Sequence, residues 1–315
     1  MENFIFSINV TIPIFLVIMF GYILRKANFF NDEFVKIANK YVFNIALPVM
    51  LFKDIAKSDV RQDMNIKFFF FCLITTIVMF MAVWGLSALL LKDKSMVGAF
   101  AQAASRGSAA VLGVAFVENI CGSIGMTPLM IVAAVPFFNI LSVIILVFSA
   151  PADETKDYGK IKSALINICK NPIIIGIVIG LIFSLFDFKL ATIPERTLTY
   201  IANTATPIAL LAVGAGFDTK EAMTRLKPAI LATVVKLFVL PMVFLPIAYK
   251  LGFVSSEMVA ILIMLASPTT VSCYIMAKNM KNDDVLTSNV IVLTTLFSSI
   301  SLTLWIFILK TLGCI

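Results

Sequence analysis

Apolar residues run along this chain in long blocks, and polar residues collect in short gaps between them. A helix needs about 20 apolar residues to cross the hydrocarbon core of a bilayer. Ten blocks reach that length: 4–24, 33–52, 66–91, 96–117, 126–150, 165–186, 195–217, 227–249, 257–277 and 285–309. The first has no basic leader and no small-residue cleavage site, so it reads as a retained span rather than a signal peptide. The longest gaps, 53–65 and 151–164, are too short to fold as domains. The pattern predicts an all-α polytopic membrane protein of ten transmembrane helices, with its chemistry held among the helices.

Composition sharpens this. Of 315 residues, 60% are apolar and 14% charged, and the mean hydropathy is +1.01. A soluble domain is about half apolar and a quarter charged. The net charge of +7 comes from 25 Lys+Arg against 18 Asp+Glu in short gaps, which is no nucleic-acid footprint. With no His, Ser-His triads, His metal sites and imidazole shuttles are excluded. No HExxH or paired carboxylate is present, so an enzyme is not expected, nor a metal or cofactor. The five Cys are scattered without a CxxC pair and read as small apolar residues.

Lys and Arg in the gaps fall unevenly on the two sides of the predicted bundle: fourteen on one (Arg25, Lys26, Lys36, Lys92, Lys94, Lys156, Lys160, Lys162, Lys170, Lys220, Arg225, Lys227, Lys278 and Lys281) and eight on the other. The side with fourteen is expected to face the cytoplasm, which places both termini outside a cell (plasma) membrane. Lys53, Lys57, Arg61 and Lys67 lie in the opposite set.

The chain also matches itself at an offset of 159. Pro13 falls on Pro172, Gly21 on Gly180, Tyr41 on Tyr200, Asn44 on Asn203 and Pro48 on Pro207, so YVFNIALPVML aligns with YIANTATPIAL without a gap. Composition explains matched Ile or Leu more readily than matched Pro, Gly, Asn and Tyr. The expected units are 1–155 and 156–315, five spans each. Five is odd, so the units enter the membrane from opposite sides and form an inverted repeat, a transporter architecture.

Such carriers bind substrate where helices are interrupted near the midplane. In span 9, Pro268 lies among Ser267, Thr269, Thr270 and Ser272, which can satisfy freed backbone groups. In span 4, Gly107 with Ser105 and Ser108 stands at the equivalent depth; small residues there can also mark close helix packing. Pro48 and Pro207 are further hinge or helix-break positions. Asn44 and Asn203, each four residues before one of those prolines, either cap a carbonyl freed by the ring or line a cavity and coordinate an ion.

An ionisable group at mid-bilayer is costly and needs a reason. Arg106 sits in the middle of span 4 and Lys236 near the middle of span 8, with no Asp or Glu at comparable depth. Unpaired cations beside helix N-termini suit an anion, and an arginine can hold a carboxylate with two parallel hydrogen bonds. Arg106 is therefore the expected charge partner of the substrate, with Lys236 in support. Backbone carbonyls for Arg106, and snorkelling or a structural hydrogen bond for Lys236, are the alternatives.

These residues resemble the auxin efflux carrier family, the PIN-like and bile-acid-symporter-like transporters, as a bacterial-type member. The resemblance covers nearly the whole chain. It rests on Asn44-Ile-Ala-Leu-Pro48 followed by Leu51-Phe52, Lys170-Asn171-Pro172 with Gly180, Pro207-Ile-Ala-Leu with Gly214, and Ser267-Pro268. It implies scaffold helices 1, 2, 6 and 7, a moving transport domain of helices 3–5 and 8–10, and crossing broken helices 4 and 9 at the substrate site. It also implies that members can form a homodimer through the scaffold. The Asn and Pro usual in the family's span 4 fall on Ser108 and Ala115 here, so Arg106 is expected to take over the role of that Asn. Asn139, after Pro136, is an extra cavity candidate.

The leading expectation is a secondary active transporter, an efflux carrier for a small organic anion such as a carboxylate, with alternating access of elevator type. Arg106, Asn139 and Lys236 would bind it with Ser105, Gly107, Ser108, Ser267, Pro268, Thr269 and Thr270. One alternative is a sodium- or proton-coupled uptake symporter, with Na+ held by Asn44, Asn203 and broken-helix carbonyls. Another is a membrane-embedded ligand sensor.

Overall fold

A computed structural model describes residues 2–56, 65–150, 166, 168–186, 188 and 190–315. Residues 57–64 of the predicted link 53–65, and the whole predicted link 151–164, lie outside the described residues, and with them Lys57, Arg61, Lys156, Lys160 and Lys162.

All regular secondary structure among the described residues is helical. That follows from the chemistry of the sequence, because in hydrocarbon a helix satisfies its backbone within its own segment. Helix α1 spans Glu2–Lys26. Asp32–Ala56 runs as α2 (Asp32–Tyr41), a π-helical turn (Val42–Ala46) and α3 (Leu47–Ala56). Then come α4 (Ile66–Leu90), α5 (Val97–Ser105), α6 (Ala109–Cys121), α7 (Thr127–Ser149), α8 (Pro172–Leu185) and α9 (Thr192–Ala215). A short α10 (Thr219–Thr224) precedes α11 (Leu226–Val234), which continues through a second π turn (Val235–Val239) into α12 (Leu240–Lys250). The chain closes with α13 (Ser255–Ala266), α14 (Ser272–Asn279) and α15 (Asp284–Thr311).

Among the described residues, six stretches are long and apolar enough to cross a membrane: Asp32–Ala56, Ile66–Leu90, Thr127–Ser149, Thr192–Ala215, Leu226–Lys250 and Asp284–Thr311. Their ends are set locally. Asn31, Asn65, Asp283 and Asn171 each accept a backbone N–H at a helix start, and Pro172 follows Asn171 at the first helical position.

Two expected helix breaks are corrected here. The helices continue through Pro48 and Pro207. At Pro48 the preceding π turn admits an extra residue, which gives the ring room. The second apolar stretch also runs to Ala56 rather than ending at 52, because Ile55 is buried beside Gly180 of α8.

The buried apolar residues form two clusters. One joins α4–α7, α11–α13 and α15. The other joins α1, α2, α3, α8 and α9, and receives α14 and a few residues of α7 and α15. In the second cluster the helices meet backbone to backbone at glycines. A Cβ on Gly21 would lie 2.5 Å from the Leu211 carbonyl oxygen, and one on Gly180 would lie 2.9 Å from that of Phe52. Gly180 lies 159 residues after Gly21, and Leu211 lies 159 after Phe52. One contact thus repeats the other at the offset read from the sequence.

Candidate functional site

The helices interrupted at 106–108 and at 267–271 meet at their gaps. Gly107 and Thr269 form an antiparallel bridge, and the Ser108 N–H donates to the Pro268 carbonyl at 2.9 Å. The local sequence explains both gaps. Pro268 offers no N–H and forces Ser267 into an extended conformation (φ −62°, ψ 149°). A Cβ on residue 107 would come 2.3 Å from Ser267 Oγ, so glycine lets the two strands touch. The backbone groups that the gaps release find side-chain partners. Thr269 Oγ1 donates to the Ala103 carbonyl at 2.7 Å, the Thr269 N–H donates to Thr294 Oγ1 at 3.0 Å, and Lys236 Nζ donates to the Ser105 carbonyl at 2.8 Å.

Arg106 closes α5 in an extended conformation (φ −82°, ψ 121°), which carries its side chain out of the helix. The guanidinium is buried, at 5% exposure. Its Nη1 lies 2.8 Å from Met276 Sδ and its Nη2 2.6 Å from Asn139 Oδ1. Asn139 is turned to accept because its own Nδ2 donates to the Val135 carbonyl at 2.9 Å. Both neighbours are neutral. Among the described residues the ion pairs join Arg25 to Asp32, Arg225 to Asp93 and Asp283, and Lys278 to Asp284.

A cavity of about 390 Å³ opens on this group. Arg106, Gly107, Ser108, Asn139, Thr270 and Ser272 form one wall; Met50, Lys53, Asp54, Asn203 and Thr206 form the other. The cavity therefore lies between the two apolar clusters and extends from the crossing toward the end of α3. A narrower space continues past Ser108, Pro268, Thr269 and Thr270. The N-terminal ends of α6 and α14 face the gaps, and neither has a side-chain cap. They add positive partial charge to that of the arginine.

The structure thus brings Arg106, Gly107, Ser108, Pro268, Thr269, Thr270, Asn139 and Asn203 to one connected space. Ser105 and Ser267 are wholly buried behind it. Lys236 is also wholly buried, and it lies against the Ser105 carbonyl rather than on the cavity wall. Asn44 stands on an exposed part of its helix, and its Nδ2 donates to the Lys40 carbonyl at 2.8 Å. Asp54, near the end of α3, joins the cavity wall because α3 continues past 52, a lining residue that the apolar pattern misses. Thr206 and Met276 were also missed. Thr206 is marked by its place between Asn203 and Pro207, whereas a methionine in an apolar run gives no signal.

On the other side of the crossing, α14 packs against α2 and α9. Asn279 Nδ2 reaches the Asn39 carbonyl at 3.4 Å, and Gly216 leaves room for the buried Tyr274 hydroxyl.

A family model described as "Membrane transport protein" matches residues 6–306. The chain is similar to an uncharacterized transporter of Methanocaldococcus jannaschii, 22% identical over 96% of this chain and 98% of the relative. It is 24% identical to the uncharacterized transporter YfdV of Escherichia coli K12 over 66% of this chain and 68% of that protein. An uncharacterized transporter of Methanothermobacter thermautotrophicus is 20% identical over 96% of this chain and 98% of its own length.

Proposed function

We propose that this chain, which belongs to the membrane transport protein family, the auxin efflux carrier-like transporters, is a secondary active carrier for a small organic anion such as a carboxylate. The observation that carries this reading is the placement of Arg106. A buried guanidinium stands on a cavity wall at the crossing of two broken helices, held there by a thioether and an amide oxygen. An arginine has five N–H donors, and two are taken by these neighbours. A carboxylate in the cavity would take two of the three that remain and supply the missing charge.

The mechanism is alternating access. Ten spans arranged as two inverted units of five, 1–155 and 156–315, would give two arrangements of similar energy. The recurrence of the Gly21–Leu211 contact as Gly180–Phe52 supports the repeat, and the division of the apolar core supports a scaffold and a separate transport domain. In the elevator reading, the cluster that carries Arg106 moves against the α1–α3 and α8–α9 scaffold, and a homodimer would form through that scaffold. We place the carrier in the plasma membrane with both termini outside, so the cavity end at Asp54 faces outward.

The test is flux of short mono- and dicarboxylates in proteoliposomes, with sodium and pH gradients varied one at a time, on wild type and Arg106→Ala. Loss of one partner of a buried charged contact costs about 2–5 kcal/mol, so affinity should fall at least about 30-fold. A folded Arg106→Ala protein that keeps wild-type affinity for its anion would overturn the assignment.

A further inference from the structure

The anion site leaves one buried cation unused. Lys236 is wholly buried in the middle of the Leu226–Lys250 helix, on a π turn. The turn carries the side chain to the crossing, while the Leu237 carbonyl is taken by Trp305 Nε1 at 2.9 Å. Nζ sits on the Ser105 carbonyl, the last of α5, where the helix dipole is negative. Ser267 Oγ and Nζ both approach the same face of Gly107, 2.3 and 3.0 Å from where its Cβ would be. The hydroxyls of Ser105 and Ser267 are buried and have no hydrogen-bond partner among the described residues. The ammonium thus meets a backbone carbonyl at a half-helix C-terminus, with the Ser267 hydroxyl on the same face of Gly107 and the Cys273 thiol close enough to interact with its charge. In other transporter folds, unwound backbone carbonyls and half-helix C-terminal ends at such breaks coordinate small monovalent cations. The repeat shows what an uncharged occupant looks like. Thr76 lies 160 residues before Lys236, and it bonds to Met264, 159 residues after Ser105.

We propose that the Lys236 ammonium is a tethered cation: it fills a monovalent-cation site at the crossing, so the carrier works without a dissociable sodium ion, and its removal without refilling the space creates a sodium site. The carrier reading gives this its consequence for coupling, but the cation site itself is independent of which anion Arg106 holds.

The experiment measures melting temperature of the full purified chain in choline, lithium, sodium and potassium chlorides at equal ionic strength. Wild type should melt at one temperature in all four. Lys236→Ala should melt lower in choline and recover by about 4 °C in sodium, saturably, as a ligand well above its Kd would produce. Lys236→Met, which fills the space without charge, should not recover. A sodium-dependent rise in wild type, equal recovery in the Met variant, or an Ala variant insensitive to all three metal ions would each overturn the proposal. Should the Ala variant fail to fold, Lys236→Ser replaces it, and wild-type anion counterflow with sodium exchanged for choline decides. Unchanged counterflow supports the tethered cation, and sodium-dependent counterflow overturns it. Arg106→Ala, run in parallel, should lose anion binding yet stay sodium-insensitive, which separates failure here from failure of the anion reading.

Discussion

Arg106 Nη2 and Asn139 Oδ1 lie 2.6 Å apart, and the Asn139 amide is fixed by a second bond to the Val135 carbonyl at 2.9 Å. A neutral acceptor orients the guanidinium without cancelling its charge. Asn139→Asp would put a fixed carboxylate where the substrate's belongs. Anion affinity should fall more than about tenfold, as a buried Arg–Asp pair replaces the open site. Asn139→Leu keeps the shape and loses the orientation, and should weaken binding less. Isothermal titration of the two variants distinguishes charge cancellation from misplacement; equal losses would count against the charge argument.

The reach of sequence reasoning follows from where each signal resides. The gaps at 106–108 and 267–271 were legible because Pro268 and Gly107 act on their own backbone. Arg106 was legible because a charge in an apolar run is conspicuous. The wall formed by Lys53 and Asp54 was not, since the apolar run stops at 52 while the helix is prolonged by Ile55 packing on Gly180. Lys236 was visible as a buried cation, but its distance from the cavity depends on a π turn that hydropathy does not reveal. Pro48 and Pro207 suggested breaks, yet both stretches stay helical through them, the first by way of a π turn.

Gly107 is the close approach on which the crossing depends. Gly107→Ala would place Cβ 2.3 Å from Ser267 Oγ and 3.0 Å from Lys236 Nζ. Ser267 is wholly buried with little room to yield, so stability should fall by about 1–3 kcal/mol. Ser267→Ala removes the clashing oxygen. In a double-mutant cycle on melting temperature, Gly107→Ala with Ser267→Ala should recover much of the loss; strictly additive effects would show that the two gaps do not meet as described.

The scaffold contacts predict a different kind of sensitivity. A Cβ on Gly214 would lie 1.9 Å from the Ile18 carbonyl oxygen, and backbone cannot swing aside as a side chain can. Gly214→Ala should therefore separate α1 from α9 and destabilise the protein by more than about 2 kcal/mol. Gly85→Ala is the control, because nothing lies within 4 Å of its Cβ position. That substitution removes a helix-interior glycine and should be neutral or stabilising by up to about 1 kcal/mol. Thermal unfolding in detergent compares the two, and similar melting temperatures would refute the backbone contact.

If access alternates by exchange of the two repeats' conformations, a contact between the two clusters on one side here has its counterpart on the other side in the opposite arrangement. Here Asn279, at the end of α14, reaches the Asn39 carbonyl of α2 at 3.4 Å. The repeat offsets of 160 and 159 carry that pair onto Asn119, at the exposed end of α6, and Leu198 on α9. Each repeat therefore has an asparagine at the same place on its second half-helix, and only one is engaged with the scaffold in the present arrangement. In a cysteine-free background, a 39/279 cysteine pair should cross-link and hold the Asp54 side open. A 119/198 pair should cross-link only in the opposite arrangement and hold the 39/279 side open. Either link should abolish flux until it is reduced, and each should leave the cavity labelled from one side of the membrane only. Cross-linking at 119/198 that never forms while transport proceeds would exclude the exchange of repeats as the source of alternating access.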